Sequence, residues 1–95
     1  MRLTKGEVDD RLKMLKGWKL DEDEIEKKFE FKDFKQSMEF VNMVADAAET
    51  EDHHPDIEIS YNKVEMSLST HSEGGLTDKD FMLAARIDEV AGSFT

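Results

Sequence analysis

The sequence predicts an α+β fold in which three amphipathic helices cover one face of a sheet of short antiparallel strands, in the order α-β-β-α-β-β-α. Three observations carry this expectation. The hydrophobic period changes from two to helical at Phe34, one helix-start signal appears at Thr4 and again at Thr77, and Pro55 stops the central helix ahead of two alternating segments.

Leu3-Thr4-Lys5-Gly6-Glu7-Val8 opens the first helix: Thr4 and Glu7 have capping-box spacing, and Leu3 is placed to staple against Val8. Val8, Leu12 and Leu15 then repeat at helical spacing until Gly17 ends the run. Trp18 and Leu20 begin a short strand before the acidic turn Asp21–Glu24, read as a solvated turn rather than a binding site. In Glu26–Asp33 (EKKFEFKD), Phe29 and Phe31 alternate with charges, the pattern of a half-buried strand. From Phe34 onward, Phe34, Met38, Val41, Ala45 and Ala48 form one apolar stripe, which Phe40, Val44 and Ala47 widen. That is a helix of about four to five turns, and its methionines and aromatics read as core.

Beyond Pro55, Ile57, Ile59 and Tyr61 alternate, as do Val64, Met66 and Leu68. A turn near Asn62-Lys63 pairs them as antiparallel strands; a bend within one longer strand is the alternative. Gly74-Gly75 marks a loop, and Leu76-Thr77-Asp78-Lys79-Asp80-Phe81 repeats the opening of the first helix, with Thr77 as cap and Asp80 in the box position. Phe81, Ala84, Ala85, Ile87, Val90, Ala91 and Phe94 carry the last helix to the end of the chain.

With 95 residues the chain is expected to form one domain, 1–95, with a core small enough that oligomerisation is a natural way to add buried area. There are no cysteines, which excludes disulfides and thiolate metal sites. The start MRLTKGEVDD lacks the apolar stretch of a signal peptide, and no segment approaches a membrane span, so the cytoplasm is the expected location. A net charge of −10 without a basic run argues against direct nucleic-acid or anionic-membrane partners.

The three histidines fall in two places, His53-His54 before Pro55 and His71 after the last strand. Loops at the ends of regular elements commonly present functional groups, and histidine exchanges protons near neutral pH. A plain surface loop and a structural histidine are the bland readings of the same residues, and Asp80 is explained by its cap alone. A three-histidine zinc site is disfavoured because adjacent residues in an extended segment point to opposite sides. Gly74-Gly75 lacks the pattern of a phosphate-binding loop.

FEFKDF (Phe29 to Phe34), EDHHPD (Glu51 to Asp56), YNKVEMSLSTH (Tyr61 to His71) and GGLTDKDFMLAARID (Gly74 to Asp88) occur in this order, with Tyr61 six residues past Pro55 and His71 ten further on. Over roughly residues 18 to 95 the chain thereby resembles the pterin-4a-carbinolamine dehydratases. The resemblance implies three helices on one face of a four-stranded antiparallel sheet, assembled into homodimers or homotetramers. It implies a hydro-lyase that converts 4a-hydroxytetrahydropterin to quinonoid dihydropterin and water, in recycling the pterin used by an aromatic amino-acid hydroxylase, with no metal, flavin or nicotinamide. Carried over by position, His53, His54, His71 and Asp80 match the active-site residues, and Asp52, Ser69 and Thr70 line the pterin pocket with the histidines. His53 and His71 are assigned to proton transfer, His54 mainly to binding, and Asp80 to orienting His71. Many members of the family carry tryptophan where this chain has Ile57, so aromatic area worth about a kcal/mol of pterin binding is missing. The alternative function is a non-catalytic binding module, a dimerisation cofactor of a transcription factor or an assembly factor.

Overall fold

The computed structural model describes residues 1–94. In chain order they form α1 (Lys5–Leu12), β1 (Lys19–Asp21), β2 (Glu24–Glu30), α2 (Phe34–Glu51), β3 (Asp56–Ser60), β4 (Lys63–Leu68), a 3-10 turn (His71–Glu73) and α3 (Asp78–Gly92). The four strands make one antiparallel sheet in the order β1-β2-β4-β3, the expected architecture. Pairing Ser60 with Lys63 leaves a two-residue turn, Tyr61-Asn62, so the segments after Pro55 are a hairpin and not one bent strand. α3 ends at Gly92, and the end of the chain at Thr95 lies outside the described residues.

Register explains the two faces. Ile25 pairs with Leu68, Lys27 with Met66 and Phe29 with Val64, which sets these six side chains on one face. There the apolar members pack against Val8 of α1, Phe40, Val44 and Ala47 of α2, and Phe81, Leu83, Ala84 and Ile87 of α3. The opposite face carries Lys19, Glu26, Lys28, Glu58, Glu65 and Ser67, all charged or polar, and no helix is needed to cover it.

Several elements differ from the sequence expectation. α1 stops at Leu12, because i→i−3 hydrogen bonds from Met14 to Arg11 and from Leu15 to Leu12 tighten the chain before Gly17, at φ +82°, turns it toward Trp18. The buried face of α2 centres on Ser37, Phe40, Val44, Ala47 and Ala48, whereas Phe34 and Ala45 are exposed. Asp33 caps this helix by accepting from the Gln36 N–H, which leaves Phe34 at its first position outside the packed layer. Ser37 tolerates burial because its hydroxyl donates to the Asp33 carbonyl at 3.1 Å.

Lys27 is a charged residue in a core-facing register. Its Nζ donates to Asp88 Oδ1 at 2.8 Å and to the Lys16 carbonyl at 2.7 Å, while Asp88 Oδ2 accepts from Trp18 Nε1 at 3.0 Å. This node ties α3 to β2 and to the segment after α1. Lys27→Met keeps the length of the stem but strands the half-buried Asp88, so stability should fall by about 1–3 kcal/mol in urea denaturation. An unchanged midpoint would show that the node is idle.

Candidate active site

α2 ends in a reversal that aims the histidine segment. The His53 N–H bonds to the Ala48 carbonyl (3.1 Å) and the Asp52 N–H to the Glu49 carbonyl (3.3 Å), a Schellman pattern with Asp52 in the left-handed conformation at φ 51°. Aspartate tolerates that conformation better than most residues. The turn swings the chain back toward α3, and His53 Nε2 lies 2.6 Å from Asp80 Oδ1.

Asp80 is fully buried and uses both carboxylate oxygens. Oδ2 accepts from the Thr77 N–H at 2.9 Å, which completes the capping box of α3, and from the Thr70 hydroxyl at 2.8 Å. Because Thr70 spends its one proton on Asp80, the 2.8 Å contact between the two threonine hydroxyls requires Thr77 to donate to Thr70. The Thr77 oxygen in turn accepts from the Lys79 N–H at 3.3 Å. A carboxylate already receiving two donors is an acceptor toward the imidazole as well, so His53 Nε2 carries the hydrogen. The other ring nitrogen, Nδ1, has no hydrogen-bond partner among the described residues and is left as a lone-pair acceptor in the neutral ring. No buried side-chain nitrogen or oxygen among the described residues lacks a partner, which is what makes burial of this carboxylate tolerable.

The neighbouring histidine goes the other way. His54 is exposed and its Nε2 meets Glu49 Oε2 at 2.5 Å, one turn back on α2. The two imidazoles thus diverge, as expected for consecutive extended residues. Asp52 is exposed beside them. His71 opens the 3-10 turn and is exposed; it lines an open cleft with Glu24, Ser69, Gly74 and the acidic turn between β1 and β2. The Ser69 hydroxyl donates to the Asp23 carbonyl at 2.8 Å and fixes that turn against the end of β4.

One assignment is corrected. Asp80 orients His53, not His71, because the reversal after α2 brings residue 53 over the first turn of α3 while the strand end carries residue 71 away. His53, Thr70 and Asp80 form one bonded network, and no hydrogen bond among the described residues joins His54 or His71 to it. Thr77 is a member that sequence reasoning saw only as a cap. Glu24 was missed as well: burial, then Asp21, Glu26 and Asp56, hold its carboxyl above the usual range, with His71 opposing. Its one sequence signal was its place at the end of the acidic run.

A family model described as pterin 4 alpha carbinolamine dehydratase matches residues 1–90. A relative from Acidobacterium capsulatum is 52% identical over 92% of this chain and 95% of its own length, and one from Sulfolobus acidocaldarius is 44% identical over 95% and 99%. Both are provisionally named pterin-4-alpha-carbinolamine dehydratases. A crystal structure of a Brucella melitensis protein described as a transcriptional coactivator/pterin dehydratase superposes with a TM-score of 0.93 at 38% identity, covering 97% of this chain and 100% of that one. A pterin dehydratase-like protein identified as a RuBisCO assembly factor in the alpha-carboxysome gives a TM-score of 0.65 at 25% identity, over 79% and 87%. With nearly the whole chain matched in sequence and in fold, this protein belongs to the pterin 4 alpha carbinolamine dehydratase family.

Proposed function

We propose that this protein, as one domain of residues 1–95, dehydrates 4a-hydroxytetrahydropterin to the quinonoid dihydropterin by histidine acid–base catalysis. The reaction breaks the C4a–O bond while the N5 lone pair forms the C4a=N5 double bond. The N5 proton goes to a base, and the departing hydroxide takes a proton from an acid and leaves as water. The observation that carries the reading is the His53–Asp80 pair, in which a buried carboxylate holds Nε2 and leaves Nδ1 as the free acceptor. His71 is the second proton-transfer group, Asp80 acts through His53, His54 binds substrate, and Asp52, Ser69 and Thr70 line the pterin pocket. The substrate is that left by an aromatic amino-acid hydroxylase in the cytoplasm.

The test is dehydration of a freshly generated 4a-hydroxytetrahydropterin by purified protein, followed by the absorbance of the quinonoid product. Because His53 and His54 point to different partners, they do not offer two nitrogens to one ion, and the chemistry needs no metal, flavin or nicotinamide. EDTA-treated protein should therefore keep full activity; activity lost on chelation and restored by zinc would overturn the mechanism.

A second reading, a non-catalytic module acting as a transcription-factor dimerisation cofactor or an assembly factor, draws on the descriptions of the Brucella and alpha-carboxysome relatives. A folded protein without dehydratase activity would favour it. Under either reading the chain assembles as a homodimer or homotetramer, without direct nucleic-acid or membrane partners. The edge strand β3 supports this: Ile57 and Ile59 share the core face of the sheet with Met66 and Val64 yet stay 37% and 36% exposed. Light scattering should give a mass above that of one chain, and a single-chain mass at all concentrations would count against assembly.

A further inference from the structure

The segment ahead of α1 is bound to the loop that carries His71, although more than 65 residues separate them in sequence. The Leu3 N–H donates to the Leu76 carbonyl at 2.8 Å, and Arg2 Nη1 donates to the Gly74 carbonyl at 3.1 Å. The loop is itself a closed hairpin: Thr70 and Gly75 exchange backbone hydrogen bonds of 3.0 and 3.4 Å, and the Gly74 N–H returns to the His71 carbonyl at 3.1 Å. Gly75 is what allows the arm to lie so close. A Cβ at this position would sit 2.5 Å from Arg2 Cδ and 3.1 Å from Arg2 Cγ, so the aliphatic stem of Arg2 occupies the place of a side chain at residue 75.

We infer that Arg2 is a positioning residue for His71, bracing the Thr70–Gly75 hairpin through its bond to Gly74 and its packing on Gly75. The inference rests on the assignment of His71 to proton transfer. His71 is exposed, and among the described residues no side-chain hydrogen bond holds its ring, so the orientation of the imidazole depends on the backbone beneath it. That backbone is held from inside by Thr70, whose hydroxyl bonds Asp80, and from outside by Arg2. The inner tie links the loop to the His53 network, and the outer tie limits swing of residues 71–74. Arg2 touches no substrate in this scheme; it sets how often His71 stands ready.

Two substitutions break the same contact from its two sides. Arg2→Ala removes the donor and the stem. Gly75→Ala leaves the fold accessible, because Gly75 does not adopt a left-handed φ and the atom it meets is a flexible side chain, but its methyl displaces Arg2. Each should raise amide exchange at Gly74 and lower kcat by roughly 3- to 10-fold, the scale of one exposed charge-assisted hydrogen bond, with little change in melting temperature or in the affinity of a non-reacting pterin. Arg2→Lys keeps the stem and a donor and should recover most of the rate. The double variant Arg2→Ala/Gly75→Ala should be no worse than either single variant, since one interaction is lost once. Multiplying losses in the double variant, or wild-type exchange and kcat in Arg2→Ala, would overturn the brace. If the unmodified protein dehydrates no pterin, the functional reading falls, and exchange at Gly74 together with the NMR line width of the His71 ring decides the brace separately.

Discussion

Asp80→Asn should leave the protein folded and remove most of its dehydratase activity. The asparagine carbonyl oxygen can still accept from the Thr77 N–H and the Thr70 hydroxyl, so the cap of α3 and the tie to the strand end survive. Its amide NH₂ then faces His53 Nε2, where the carboxylate stood at 2.6 Å. Two donors cannot share that contact, so Nε2 must accept and the ring hydrogen moves to Nδ1. The nitrogen left open to substrate becomes a donor and no longer removes a proton from N5. kcat should fall by roughly 10²- to 10⁴-fold, the range for losing a base or holding it in the wrong tautomer, for a stability loss of about 1 kcal/mol. Asp80→Ala should differ in kind: it also strands Thr70, Thr77 and His53 in a buried site and should cost about 2–4 kcal/mol. Urea denaturation and single-turnover rates on both variants separate the roles. An Asn variant with near wild-type turnover would show that His53 does not act as a base through Nδ1.

The second large effect belongs to His71. His71→Gln keeps hydrogen-bonding capacity and approximate size while removing the imidazole that can take up and return a proton. Loss of a proton-transfer group should lower kcat roughly 10²-fold or more, by less for a C4a stereoisomer on which another histidine takes over. Since His71 is exposed at the start of a 3-10 turn, stability should move within about 0.5 kcal/mol. His53→Gln makes the informative contrast. That side chain is only 12% exposed and bonded to Asp80, so its loss should reduce both rate and stability. If His71→Gln melts much earlier while each folded molecule turns over normally, His71 is structural.

The two helix starts were legible because they are local. Thr4 with Glu7 and Thr77 with Asp80 each close a box within three residues, through bonds of 2.8 to 3.2 Å at the first and with both bonds present at the second. Pro55, the alternation of Val64, Met66 and Leu68, and the order of the seven helices and strands are of the same kind, set by steric and periodic rules acting over a few residues. The family resemblance proposed site residues by position, and three of them, His53, Thr70 and Asp80, lie in one bonded network. It did not reveal which of them touch. Asp80 read as a cap is correct for Oδ2, but Oδ1 turns to a histidine 27 positions earlier, and only the reversal after α2 decides that His53 and not His71 receives it. Lys27 stands in a run of charges with no local sign of a partner; the β2–β4 register turned it inward and α3 supplied Asp88 to meet it. Ile57 and Ile59 alternate as Val64 and Met66 do, but they lie on the edge strand that the helices do not cover. In each case the backbone pattern followed from near neighbours, whereas a side chain's partner depended on how separate elements are registered and stacked, which contacts between distant residues determine.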